Sequence, residues 1–285
     1  MPLTTRKPKM SAAEIDLAYT AAQKVVEIHR HLSKFVRVGM TLGQVDAEAA
    51  RFMGTIGVSS CFFRYSPKGH KPKLPPFPSH TCLSLNECVV HGHAGWPQGN
   101  PALKPGDLFK IDVGVFHQGW VGDAAWTYSL GEPSAANRKL MEAGKAALRR
   151  GIPTLRPGAM WIDWAREVQT CVEREYGFKC VRGLGGHGIG LKNLHGPPFV
   201  SNVVPGFDQE WGEAYERIVP GTLVAVEPML AVGTGTHLNG ARDFPWPQVS
   251  ADGSMTVHYE ADVLITENGP RDLTEGMTGL PDVIG

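Results

Sequence analysis

The chain repeats a segment of itself, and that repeat restricts what it can fold into more than any other feature. Pro105-Gly106-Asp107-Leu108-Phe109-Lys110-Ile111-Asp112 is echoed by Pro220-Gly221-Thr222-Leu223-Val224-Ala225-Val226-Glu227, 115 residues further on. Each is a Pro-Gly turn running into an apolar strand that ends on a carboxylate. Arg37-Val38-Gly39 and Arg156-Pro157-Gly158 each precede a helical pattern, and His91-Gly92 and His187-Gly188 each precede the repeated strand. Asp123 and Glu260 each head a further strand that stops before a glycine, Gly131 or Gly269. The histidine and second-carboxylate offsets differ from 115, so the loops between must vary in length. Turn-to-strand segments also recur by chance. Duplication into two similar halves accounts for the shared order of all the pieces.

Apolar periodicity places a helix over 12–34, with Leu17, Ala21, Val25 and Ile28 on one face. Thr41 can cap a second helix that runs to about Thr55 and ends near Gly57. Strands are expected at 81–91, 107–116, 123–130, 178–184, 222–232, 255–259 and 260–266. Helices are expected over about 134–150 and from Arg156-Pro157-Gly158 to near Gly177. Pro228 removes a ladder donor and should break its strand or place it at an edge. Residues 66–78 hold five prolines and no periodicity, and read as an exposed loop.

Four acidic residues lie in these apolar strands. Asp112 alternates with Phe109, Ile111, Val113 and Val115, so it belongs to a strand otherwise fit for burial. Burying an unpaired carboxylate costs several kcal/mol, so something positive must face it. Lys110, two residues away on the same strand face, is the one local candidate, and a Lys110–Asp112 ion pair is the alternative to a metal. The segment Leu223–Leu230 around Glu227 has no Lys or Arg at all. Asp123 and Glu260 pose the same problem.

Two divalent cations would supply the counter-charge. Carboxylates with one imidazole suit Mn, Fe, Co or Zn, and no cysteine adjoins these residues to make a thiolate site. Two such ions ~3.5–4 Å apart hold a bridging hydroxide and polarise a carbonyl, which permits hydrolysis at neutral pH. Glycines around His187 let the backbone approach a ligand closely. A lone histidine is more often structural, but His91-Gly92-His93 in the other half matches it. His91 and His195 read as hydrogen-bonding groups near a reacting carbonyl, and His93 and His237 as surface residues.

Taken together, Asn86-Glu87, Val90-His91-Gly92, Ile111-Asp112-Val113, Gly122-Asp123, Gly186-His187-Gly188-Ile189-Gly190, Glu227-Pro228-Met229 and Tyr259-Glu260 resemble type I methionine aminopeptidase over residues 12 to 275. The resemblance implies an α/β (α+β) pita-bread fold: two pseudo-symmetric halves, about 12–150 and 151–275, with curved antiparallel sheets covered by helices. It makes 12–275 a single catalytic domain between an N-terminal tail, 1–11, and a C-terminal tail, 276–285. It implies Asp112, Asp123, His187, Glu227 and Glu260 as ligands of two divalent ions (Co, Mn, Fe or Zn). Asp112 would be bidentate, Asp123 and Glu260 bridging, and Glu227 also the general base for a bridging hydroxide. His91 would bond the substrate's amino end and His195 the oxyanion. Cys61, Phe77, Cys82 and Trp246 match the methionine pocket. The substrates implied are nascent polypeptide N-termini.

The chain departs from that family pattern in four places. The His187 to His195 spacing is one residue longer, with Leu194 where an aromatic is usual. The Pro/Lys-rich loop at 65–78 is longer; it reads as solvated, with the ribosome as the other candidate partner. Ala261 replaces the usual histidine after Glu260, and Cys88 stands three positions before His91 instead of next to it.

Proline-specific peptidases share the fold but carry an extra N-terminal domain, for which the early start of the pattern leaves no room. Type II enzymes carry an insertion that the stretch from His195 to Glu227 is too short to hold. A non-catalytic binding protein of the same fold would be expected to have lost ligands. Lys+Arg and Asp+Glu both number 28, so charge makes no case for nucleic acid or an anionic membrane. Arg6, Lys7 and Lys9 are followed by Glu14 and Asp16, not by an apolar run, which is neither a signal peptide nor a membrane span. Five cysteines without a CxxC pair are expected to be small, buried and reduced, in a cytoplasmic monomer.

Overall fold

The computed structural model describes residues 10–66, 75–96, 100, 102–207, 210–241 and 244–285; residues 1–9 of the expected 1–11 tail and most of the proline-rich loop, 67–74, lie outside the described residues. Helix α1 (Ala12–Phe35) starts at a capping box in which the Ser11 hydroxyl accepts from the Glu14 N–H and the Glu14 carboxylate accepts from the Ser11 N–H. It buries Ala18, Ala21, Ala22, Val25, Val26, Ile28 and Leu32; of the expected face Ala21, Val25 and Ile28 are buried and Leu17 is half-buried. Thr41 and Gln44 form the same box at the start of α2 (Leu42–Thr55).

The strands in chain order are β1 (Ser59–Ser60), β2 (Cys82–Leu85), β3 (Cys88–Val90), β4 (Leu108–His117), β5 (Trp120–Leu130), β6 (Lys179–Cys180), β7 (Gly185–Gly190), β8 (Asn193–Ser201), β9 (Leu223–Val226), β10 (Met229–Ala231), β11 (His237–Ala241), β12 (Phe244–Ser250), β13 (Thr256–His258), β14 (Ala261–Thr266), β15 (Gly269–Asp272) and β16 (Val283–Ile284). Between β5 and β6 lie α3 (Ala135–Gly151) and α4 (Trp161–Gln169), the latter continued by a π-helical stretch to Tyr176. The chain leaves that stretch at Gly177, whose φ of +80° suits glycine.

Each half contributes one five-stranded sheet. In the first, β4 lies between β5 on one side and β1 and β2 on the other, and β16 closes the far edge of β5 in parallel. In the second the order is β15-β14-β9-β7-β8, antiparallel throughout. Two three-stranded sheets, β13-β10-β6 and β11-β12-β3, complete the molecule, and neither large sheet closes into a barrel. The repeat is thus structural, with β4 and β5 answering to β9 and β14.

Several expected boundaries shift: 81–91 splits into β2 and β3, and 178–184 shortens to β6. Asp123 does not head its strand, because β5 starts at Trp120 and pairs with β4 along its whole length. The 222–232 strand is broken after Val226 and resumes at Met229, as the missing N–H of Pro228 requires. All five cysteines are free and buried.

The two halves meet through backbone and side-chain hydrogen bonds near the acidic residues. The Glu260 N–H donates to Ala125 O at 2.9 Å. The Thr127 hydroxyl donates to His258 O at 2.7 Å and accepts from the His258 N–H at 3.0 Å. The Asp123 N–H donates to Asp262 Oδ2 at 2.9 Å.

One histidine packs α1 onto the first sheet. His29 is fully buried, with Nε2 3.1 Å from Ala124 O and Nδ1 3.0 Å from the Tyr128 hydroxyl. A neutral ring satisfies both, donating from Nε2 and accepting at Nδ1. Burial lowers its pKa to about 4. Because the unfolded ring binds a proton first, this contribution to stability is intact above pH 6.5 and is lost as pH falls toward 4. The loss amounts to roughly 2 kcal/mol by pH 5 and about 3 kcal/mol below pH 4. Melting of the metal-free protein at pH 7 and pH 5 checks this: His29→Gln is expected to narrow the gap between the two melting temperatures, and an unchanged gap would contradict it.

Candidate metal centre

Asp112 and Asp123 come from neighbouring antiparallel strands. Asp112 lies opposite Ala125 and Cys82, and Asp123 opposite Gly114, so the two aspartates sit diagonally on one sheet face. The second half reproduces this. Val226 pairs with Ala261 at the end of the β9–β14 ladder, and Glu227 and Glu260 are the residues just beyond that pair. His187 is on β7, opposite Ala225 of β9. A Cβ at Gly186 would fall 2.3 Å from Ala225 O, and one at Gly188 2.1 Å from Pro197 O. Only glycine lets the strand bring His187 this close to its neighbours.

The five candidate ligands line one cavity of about 580 Å³. His187 Nε2 is 3.8 Å from Asp123 Oδ2 and 3.9 Å from Glu227 Oε1. These gaps are too long for hydrogen bonds, yet two atoms each about 2.1 Å from a shared ion lie ~3–4 Å apart. Single donor atoms of Asp123, His187 and Glu260 fall within 4.8 Å of one another. Asp112 Oδ1 and Asp123 Oδ1 are buried with no hydrogen-bond partner. Burial pushes the carboxyl pKa values of Asp112, Asp123, Glu227 and Glu260 up, and repulsion from neighbouring carboxylates adds to it at Asp112, Asp123 and Glu260. Burial holds His187 down at about 3, so its imidazole is neutral and free to bind a cation.

Lys110 does not answer this charge. Its ammonium is fully buried but donates to Asn86 O at 2.7 Å and to the Thr256 hydroxyl at 3.1 Å. The orphaned oxygens and the neutral imidazole therefore fit divalent cations, and the Lys110–Asp112 alternative is not realised.

The remaining candidates divide. Phe77, Cys82, His91, His195 and Trp246 line the same cavity, together with Phe62, Tyr65, Leu194 and Phe199. Cys61 does not. It is buried in the cluster that backs the wall, and the adjacent Phe62 reaches the cavity. The ring of His195 packs edge-on to His187, with centroids 4.4 Å apart. Two register shifts interrupt the β7–β8 ladder between His187 and Gly190, the stretch that leads to His195. His195 is open to solvent on one side, while the protein around it lowers its pKa to about 4. His93, expected at the surface, is buried and packs edge-on against Phe77.

Sequence reasoning missed three residues. Asp262 is a further buried acid, spent on the Asp123 N–H. Tyr65, in the proline-rich stretch, places its hydroxyl 2.7 Å from His195 Nδ1. His258 places Nε2 3.0 Å from Glu227 Oε2. The period-2 spacing His258-x-Glu260 and Glu260-x-Asp262 was the available signal for the first and last of these.

Paired acids from two like half-sheets, converging on a buried imidazole, define a metal-dependent hydrolase. The chain belongs to metallopeptidase family M24, whose model matches residues 16–267. It is 33% identical to a methionine aminopeptidase of Aquifex aeolicus, over 93% of this chain and 97% of that one. It is 34% identical to methionine aminopeptidase 1 of Mycobacterium tuberculosis, over 94% and 95%. The crystal structure of methionine aminopeptidase from Thermotoga maritima matches with a TM-score of 0.78 at 31% identity, over 93% and 98%. The fold is the pita-bread fold of this family.

Metal loading should therefore stabilise the protein. Free cobalt or manganese at 100-fold above its dissociation constant adds about 2.7 kcal/mol per site, read as a rise in melting temperature over the chelated protein. Metal-free Glu260→Gln should melt above the metal-free wild type, because one of the crowded charges is gone, and should gain less from added metal. A variant that melts lower when metal-free would show that the acids do not repel.

Proposed function

We propose that the protein removes the N-terminal methionine from polypeptides by metal-dependent hydrolysis. The observation that carries this reading is one cavity with two unlike walls. Phe62, Phe77, Cys82, Leu194, Phe199 and Trp246 offer apolar surface for a single unbranched side chain. The acidic cluster stands directly beside them. The methionine aminopeptidases to which the chain is similar support the choice of side chain.

In this reading Asp112, Asp123, His187, Glu227 and Glu260 hold two divalent ions. When bound, such ions polarise the scissile carbonyl and bring the pKa of water near 7. Glu227 presents Oε1 toward His187 and is placed to accept the proton of the attacking water. His195 donates to the carbonyl oxygen as negative charge develops there. With the Tyr65 hydroxyl donating to Nδ1, the His195 proton sits on Nε2. His91 lines both this cavity and the adjoining one of about 500 Å³, where it would meet the substrate's amino end. Trp246 is braced by a bond from Nε1 to Pro75 O at 2.8 Å and packs edge-on against Phe77, closing the apolar wall. Cys61 supports that wall from behind. We take residues 12–275 as the single catalytic domain; the stretch expected as a tail, 276–285, packs onto it through β16 and buries Met277, Leu280 and Ile284.

No helix among the described residues is long and apolar enough to cross a membrane. Five unpaired cysteines suit a reducing compartment, so the reading extends to a cytoplasmic monomer acting on nascent chains, at or near the ribosome.

Cleavage of a peptide series that varies only in the first residue tests the proposal. Met-Ala-Ser should be cut by the metal-loaded protein and Leu-Ala-Ser or Lys-Ala-Ser hardly at all; equal rates would refute it. Asp112→Asn and His187→Ala are expected to abolish turnover with the fold kept, checked by circular dichroism. His195→Ala should lower kcat by roughly 10²–10³, and an unchanged rate would remove the oxyanion role.

A further inference from the structure

We propose that His258 is the positioning residue for Glu227: its imidazole Nε2–H donates to Glu227 Oε2 and so turns Oε1 toward His187 and the site of the ions. The inference rests on the metal-site reading above and adds a residue to it.

Glu227 needs such help because the fold leaves its side chain unsupported. It lies in the two-residue gap between β9 and β10, where Pro228 has no N–H to continue the ladder. Its backbone is anchored, since the Asn202 side-chain amide donates to Glu227 O at 2.9 Å. Its carboxylate has one hydrogen bond among the described residues, that with His258 at 3.0 Å. The other oxygen, Oε1, has His187 Nε2 at 3.9 Å. One oxygen is thus tethered and the other faces the cavity. An ionised glutamate only accepts, so the proton of this bond belongs to the imidazole once Glu227 is charged.

The imidazole is itself fixed. His258 is 1% exposed, and both its backbone groups are clasped by the Thr127 hydroxyl of the other half. It also pairs with Met229, two residues past Glu227, in the β10–β13 ladder. A rotation of the glutamate would break a bond to a ring that cannot follow it. The second separation, 3.9 Å from His258 Nε2 to Glu260 Oε2, leaves direct ligation as the rival role. Positioning is favoured because Glu227 and Glu260 line the cavity and His258 does not; it sits behind them. Hydrogen bonds behind a ligand orient it, and removing one typically costs 10–100-fold in metal affinity.

Cobalt binding to the metal-free full-length protein, by titration calorimetry and visible absorption, tests this without reference to peptidase activity. His258→Gln keeps a donor at nearly the same reach and should bind cobalt within a few-fold of wild type, with the same d–d spectrum. His258→Asn is too short to reach Glu227, and His258→Leu has no donor. Each should weaken binding by roughly 10–100-fold while retaining the wild-type spectrum at saturation. Should the leucine variant fail to fold, the Asn–Gln difference decides. Wild-type affinity in His258→Asn would overturn the proposal and leave His258 a packing residue. An altered spectrum with lost affinity in His258→Gln would overturn it in favour of direct ligation. A wild-type protein that binds no cobalt would overturn the metal reading itself.

Discussion

Everything about this site follows from the burial of like charge. Asp112, Asp123, Glu227, Glu260 and Asp262 are each at most 9% exposed and stand within one small region between two sheets. Isolated carboxylates in such a place would cost several kcal/mol each. Among the described residues no lysine or arginine pairs with them. Lys110 is buried close by in sequence, yet it is turned to Asn86 and Thr256. Asp262 is partly relieved by the Asp123 N–H. For the other four, the proposed cations would complete the fold as much as the chemistry.

The same residues that present the ligands hold the halves together. The Glu260 N–H bonds across to Ala125, Thr127 clasps His258, and Asp123 meets Asp262. Each bond lies at, or within two residues of, a carboxylate assigned to the metal pair. The spacing of the candidate ligands is therefore set by backbone and side-chain hydrogen bonds between the two halves. That suits a centre whose donors must stay within a few tenths of an ångström of a working geometry. The apolar wall is built differently. Trp246, Phe77 and Tyr65 lean on one another edge-on and on a carbonyl at Pro75. They come from the long connections of the first half and from β12 of the second.

The five candidate ligands stand where the resemblance puts them along the sequence, and the structure gathers all five into one cavity. Other groups contact the residues of this site from afar: His258 on Glu227, Tyr65 on His195, Asp262 on the Asp123 backbone. Each is a contact between residues distant in sequence.

The sequence alone determined the local and periodic part of this protein. The capping boxes at Ser11 and Thr41, the stripe of α1, the break at Pro228 and the duplicated strand-to-carboxylate segments are all encoded within short windows, where helix and strand periods dictate which side chains share a face. The acids declared themselves because charge inside an apolar strand is costly wherever the strand ends up. Only the tertiary structure decided which way Lys110 turns, that Phe62 instead of Cys61 reaches the cavity, that His93 is buried, and that His195 packs against His187. Those outcomes depend on pairings such as Thr127 with His258, 131 residues apart. Register and packing between halves fix them, and no local pattern carries that information.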